Sequence, residues 1–240
     1  MDTRIVEMAE ELRWRLLRTG ILLVVVAAAV FPVAEHILDW LRNRTTAPLA
    51  AFGIADAFLA LVTIALGAGA VAAMPVAAFE MLQAVAESYP ALNRRSRWLF
   101  WFASMLLFFA GVGFCIQITL PYGSRFLLGY GNEGLRPVIC VRQFVSFCLA
   151  LTLGFGALFE LPLIMALLAW LNLVTASLAR RFRRYAVVGI TIVSAVVTPT
   201  PDVFNLLLLA LPLYLLFELG ILGMRICERR RQLSPVLDSS

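Results

Sequence analysis

The sequence predicts an all-α integral membrane protein with six transmembrane helices, and three observations carry that prediction. Of its 240 residues 62% are hydrophobic, well above the roughly 45–50% of soluble domains, and the mean hydropathy is +0.90. Apolar runs recur along the whole chain, at 16–41, 57–86, 98–121, 144–171, 185–197 and 203–224. About 20 residues at 1.5 Å each cross the roughly 30 Å of bilayer hydrocarbon, and little chain remains between the runs. Residues 1–240 therefore read as a single membrane domain. The strands of about 10 residues with alternating polarity that build a membrane β-barrel are not visible.

The third observation is charge. All 20 basic residues are arginine, and short cytoplasmic loops collect positive charge. With both termini inside, Arg4, Arg13, Arg15, Arg18, Arg94, Arg95, Arg97, Arg180, Arg181, Arg183, Arg184, Arg225, Arg229, Arg230 and Arg231 are cytoplasmic, 15 of the 20. Arg42, Arg44, Arg125, Arg136 and Arg142 are external. The predicted topology is N-in and C-in. The net charge of +5 then belongs to topology and to contact with anionic membrane lipids, and no nucleic-acid partner is expected.

Taken in order, the first 15 residues read as a cytoplasmic amphipathic helix. Ile5, Met8, Leu12 and Leu16 recur at three- and four-residue steps, with Glu7, Glu11, Arg15 and Arg18 on other faces. No cleavable signal is expected before the first span, which reads as an anchor. The second span is long and carries Pro75, predicting a tilted or kinked helix that projects past the bilayer. Pro90 closes it, and "NRRSR" makes a tight cytoplasmic turn. The external segment Tyr122 to Gln143, rich in glycine, reads as a folded loop. The last two spans are expected to be short. At about 1.5 Å per residue, the 13 residues between Arg184 and Thr198 reach only about 20 Å. "TPTPD" joins them as a stiff turn, because proline fixes its own φ and biases the residue before it. Residues 225–240 read as a cytoplasmic tail. No internal repeat of the transporter kind is visible.

The residue inventory argues against enzyme chemistry. His36 is the only histidine and sits beside Glu35 and Asp39 near the end of the first span. No pair of intramembrane aspartates and no G-x-S-x-G serine is present. Cys115, Cys140, Cys148 and Cys227 lie in different segments without C-x-x-C spacing, so neither a metal nor another cofactor is expected.

Three intramembrane acids remain: Glu80, Glu160 and Glu218. An ionised side chain at the bilayer centre costs about 2.5–3.5 kcal/mol on insertion scales. Glu80 and Glu218 lie near the inner ends of their spans, within reach of water or of an arginine such as Arg225. Glu160, in "GALFELPLIMA", is 16 residues from Phe144 and 11 from Leu171, too far for its side chain to reach either surface. It reads as a protonated acid bonded inside the bundle or as a polar docking site facing a groove. Glu11 and Arg15, four apart, read either as a helix-stabilising pair or as a site whose carboxylate accepts a cationic ligand.

Four stretches carry a family resemblance: "EELRWRLL" at 10–17, "APL" at 47–49, "FELP" at 159–162 and "TPTPDVFNLLLLALPLYLLFELGI" at 198–221. They resemble TatC, the multispanning subunit of the twin-arginine protein translocase, over nearly the whole chain and in the right order. The resemblance implies a cup-shaped bundle of six helices that binds twin-arginine signal peptides of folded cargo. It also implies recruitment of single-span TatA- and TatB-type partners, transport driven by the proton-motive force, and a homo- or hetero-oligomer. The implied host is the bacterial cytoplasmic membrane or a mitochondrial inner or thylakoid membrane. It places Glu11, with Arg13 and Arg15, at the signal-peptide site and Glu160 against a polar residue of the partner helix. Pro48 and Asp202 match family positions. Two departures bear on recognition: Met8 stands for the usual histidine, and Ser96 for a second glutamate of the signal-peptide site. Glu80, where the family pattern after Pro75 is altered, and Glu87 are the acids available to replace it. The alternatives are a TatC-like structural subunit with weakened or lost recognition and, with less support, a small-solute transporter.

Overall fold

In the computed structural model the structure describes residues 2–45, 49–88, 94–122, 139–197 and 203–237. These form nine α-helices and one two-residue strand pair among the described residues. The helices and strands are α1 (Asp2–Val30), α2 (Ala34–Thr45), β1 (Leu49–Ala50), α3 (Ile54–Ser88), α4 (Arg94–Phe114), β2 (Ile139–Cys140), α5 (Val141–Phe159), α6 (Leu161–Trp170), α7 (Ala176–Arg181), α8 (Arg183–Val197) and α9 (Val203–Leu237). A 3₁₀ turn at Phe31–Val33 separates α1 from α2, and a π-helical turn, Cys115–Thr119, extends α4.

Five stretches are long and apolar enough to cross a membrane: Arg13–Asn43, Ala55–Glu87, Arg94–Tyr122, Val141–Trp170 and Leu209–Arg229. Their outward faces carry large apolar side chains such as Val24, Phe102 and Leu106, the last 70% exposed. So much exposed apolar surface suits lipid, not water. The fifth predicted span, α8, has 15 residues, about 22 Å at 1.5 Å per residue. Its shortness agrees with the sequence. The last helix does not: α9 runs for 35 residues, Val203–Leu237. Residues expected to be a tail after Met224 continue the helix, because "RICERRRQL" is built largely of residues with good helix propensity.

The chain forms two compact units. One comprises Met1–Ser88 and Leu120–Leu153, in which α1 packs most extensively on α3. α3 is a continuous helix through Pro75. Asp56 closes its N-terminal end: its Oδ2 accepts the Gly53 N–H at 2.8 Å, and the Asp56 N–H bonds Gly53 O at 3.1 Å. The strand pair is an element the apolar pattern did not announce. Leu49 and Ala50 pair in parallel with Ile139 and Cys140, and the Cys140 thiol points at Asp56 Oδ2 at 3.8 Å. Most of the segment expected to be a folded external loop lies outside the described residues.

The second unit comprises Tyr89–Thr119 and Gly154–Ser240. Here α9 packs on α6, α7 and α8, around a core of Ala169, Ala176, Ala179, Ile221 and Met224 flanked by Met165, Val174 and Phe217. The turn between α6 and α7 is made by Asn172, which takes a left-handed φ of 60°, a conformation asparagine tolerates well. Glu228 on α9 then accepts the Ala176 N–H at 2.7 Å, satisfying one of the donors that the first turn of α7 leaves open.

The α1–α3 contact is close enough to test. A Cβ added at Gly69 would lie 2.5 Å from the Leu23 carbonyl oxygen and 3.3 Å from Ala27 Cβ. Gly69→Ala should therefore force the helices apart and destabilise the detergent-solubilised protein by about 1–3 kcal/mol, the usual cost of overpacking. Gly20→Ala, with nothing within 4 Å, should leave the thermal midpoint unchanged or raised. Thermal unfolding of the two variants side by side checks both.

Candidate functional site

Glu160 stands at a break in the fourth predicted span, between α5 and α6. Pro162 has no N–H to return to the preceding turn, which leaves a carbonyl of that turn without its helical partner. The backbone reorganises around Glu160. Its N–H bonds Ala157 O at 3.1 Å, and its carbonyl accepts from Leu163 and Ile164 at 3.0 and 2.9 Å. One helix ends and the next begins at this residue, which fixes the direction of its side chain.

Across from it lies α4. Ser104 Oγ donates to Glu160 Oε1 at 2.8 Å, with the two residues 4% and 7% exposed. The helices come together through small residues: a Cβ on Gly156 would meet the Phe108 ring at 2.5 Å. Phe114 adds ring contacts to Phe155 and Phe159 at 5.7 and 5.6 Å between centroids. The acid thus sits in an apolar, aromatic setting with one hydroxyl partner. Ser104 was not singled out from the sequence. Its only signal there is that it interrupts the apolar run "LFWFASMLLFF".

The first unit holds a second group of charges, between α1 and the C-terminal end of α3. Arg15 donates through Nη2 to both carboxylate oxygens of Glu87, at 2.6 and 2.7 Å. Its Nη1 donates to the Glu80 carbonyl oxygen at 3.2 Å, and its Nε lies 3.8 Å from Glu80 Oε2. Arg18 reaches Glu80 Oε1 at 3.2 Å. The Glu80 side chain is 11% exposed and that of Glu87 57%. Arg15 and Arg18 are one turn apart, so a single face of α1 addresses both acids.

The remaining predicted site residues are more scattered. Glu11 lies within α1, but its side chain is outside those described, and Pro48 and Asp202 are outside the described residues. Arg13 is exposed, and Ser96 is half-buried in the first turn of α4. Glu218 pairs with Arg183 at 2.6 Å and accepts the Tyr214 hydroxyl at 3.0 Å, so its partner is not the Arg225 suggested by spacing. Among the described residues, no group of three or more histidines, cysteines and acids could hold a metal ion.

The chain matches the family "TatC: Sec-independent protein translocase protein (TatC)" over residues 7–212. The chain belongs to the TatC family. It is 34% identical over 239 residues to the Sec-independent protein translocase protein TatC of Azotobacter chroococcum, covering 95% of this chain and 92% of that one. It is 30% identical to the TatC of Escherichia coli, covering 88% of this chain and 84% of the relative. A crystal structure described as the twin arginine translocase receptor TatC superposes with a TM-score of 0.79 at 27% identity, covering 92% of this chain and 99% of that one. Membership of TatC makes the chain a membrane component of twin-arginine protein transport and places it outside the catalytic enzyme families.

The Ser104–Glu160 bond is open to measurement. In a thermal-unfolding double-mutant cycle of Ser104→Ala and Glu160→Ala, each of which removes the bond, the two sites should couple by about 0.6 kcal/mol, and at most about 1.7, the range for interhelical hydrogen bonds in membranes. Strict additivity would show that the bond contributes nothing to the fold.

Proposed function

We propose that the protein is the receptor and core subunit of a twin-arginine translocase in a bacterial cytoplasmic membrane. It spans that membrane six times with both termini inside. In this reading Glu11, flanked by Arg13 and Arg15, meets the signal peptide of a folded cargo protein, with Ser96 at the position of the family's second acid. Glu160 meets a polar residue of a TatA- or TatB-type single-span partner, and the proton-motive force drives transport.

The observation that carries the reading is Glu160 itself. An acid in the middle of a hydrophobic span, 7% exposed and bonded to one serine, keeps hydrogen-bonding capacity that lipid cannot satisfy. A polar group on another transmembrane helix satisfies it. The family match over residues 7–212 supports the same assignment.

Glu160→Leu should assemble poorly with single-span partners and lose export, measured by co-purification and by appearance of a folded reporter outside the cytoplasm. Wild-type export by this variant would remove Glu160 from the mechanism. Glu160→Gln keeps a hydrogen-bonding group, so it should retain partner binding. Glu11→Ala should reduce crosslinking of a twin-arginine peptide to the N-terminal region several-fold.

A second reading is a TatC-like structural subunit that has lost signal recognition. Ser96 in place of an acid supports it, as does the engagement of Arg15 with Glu80 and Glu87. Complementation of export in cells lacking their own TatC separates the two: restored export supports the receptor, and partner assembly without export supports the structural subunit.

A further inference from the structure

Between Glu160 and Asp202 the chain carries four arginines and no acid. All four fall in "RRFRRY", residues 180–185, where α7 ends and α8 begins. This corner returns the chain after a membrane-length stretch that ends at Trp170, so it lies at a bilayer surface. Every side chain in it is exposed. Arg183 is balanced by Glu218 at 2.6 Å. Among the described residues no acid pairs with Arg180, Arg181 or Arg184.

The unbalanced arginines keep donors to spare. Arg180 donates through Nε to the Ala176 carbonyl oxygen at 3.3 Å. Arg184 donates to the Tyr185 hydroxyl at 3.2 Å, and its guanidinium carbon lies 4.9 Å from the centre of that ring. Each guanidinium carries five N–H donors in a fixed fork, so most remain open to a ligand. The charges also repel one another, and Arg184 stands in the first turn of α8, where the helix dipole disfavours a cation. An anion relieves both.

The face that carries Arg184 continues as apolar surface. Arg184, Val188 and Ile192 follow at four-residue steps and so line up along α8. Tyr185, Val188 and Ile192 are each exposed over more than half of their surface. α8 packs on α9, and its less exposed row is Ala186, Ile190 and Ser194. The tendency of inner loops to collect positive charge accounts for the sign of the corner, not for an apolar strip aligned with it. A cationic head joined to such a strip matches an amphiphile. Free phosphate would use the head alone, and a zwitterionic lipid brings a cation of its own to the arginines.

We propose that the α7–α8 corner binds an anionic phospholipid. Its phosphodiester meets Arg180, Arg181 and Arg184, as guanidinium forks suit phosphate oxygens, and its acyl chains lie along Tyr185, Val188 and Ile192.

The test is native mass spectrometry of the detergent-solubilised full chain, titrated with phosphatidylglycerol or with phosphatidylcholine of the same acyl chains. The wild type should bind the first phosphatidylglycerol on the order of tenfold more tightly than phosphatidylcholine, the scale set by a few arginines near an anionic headgroup. Arg181→Gln combined with Arg184→Gln should abolish that preference and leave phosphatidylcholine binding unchanged. Arg94→Gln combined with Arg95→Gln removes the same charge from exposed positions on α4 and should keep the preference. A wild type without preference, or equal losses in the two double variants, overturns the site. Excess inorganic phosphate should leave the lipid bound; its release would show that a free anion suffices and overturn the lipid assignment. Phosphatidylglycerol with a photoreactive acyl chain should label the segment holding Val188 and Ile192, and labelling confined to other helices overturns the placement of the chains.

Discussion

Hydrocarbon offers no hydrogen bonds, and that constraint runs through every part of this chain that lies in it. The backbone answers by coiling into helices, which satisfy their own N–H and C=O groups. Side chains have to answer one at a time. Thr63, Thr152 and Thr191 return their hydroxyls to the carbonyl four residues back, so they cost little inside a helix. The acids cannot do this. Each meets a group on a separate element: Glu160 meets Ser104, Glu80 meets Arg15 and Arg18, and Glu218 meets Arg183.

Bringing such partners within hydrogen-bonding distance requires backbones to approach closely, and small residues make that possible. Gly156 lies against the Phe108 ring where α5 meets α4. Ala169, Ala176 and Ala179 form most of the core beneath α9. Lipid competes equally well for apolar side chains, so a membrane core gains little from bulk and more from contact area between close helices. The polar contacts and the small-residue seams are therefore parts of one solution.

Much of this was legible beforehand because the bilayer imposes a length. The apolar runs that became α3, α4 and α5–α6 were found at nearly their observed places, and the shortness of α8 followed from counting residues between Arg184 and Thr198. The break at Glu160 has a visible cause in Pro162. What was not legible was pairing. The strand contact between Leu49–Ala50 and Ile139–Cys140 joins segments about 90 residues apart, and two-residue strands leave no periodicity to read. The extent of α9 was also missed, because helix propensity continues beyond the last apolar residue and hydropathy does not register it.

The sequence by itself determined that the chain lives in a membrane, where its helices fall, and which acids stand where water is scarce. Those properties follow from composition along the chain and need no partner. Only the tertiary structure decided whom each charge meets: Ser104 for Glu160, Arg183 rather than Arg225 for Glu218, and Arg15 bridging Glu80 and Glu87. A charge on a helix has neighbours on its own face set by the helical repeat. Its neighbour across a helix interface depends on how two backbones cross, and that is fixed by packing of side chains far apart in sequence.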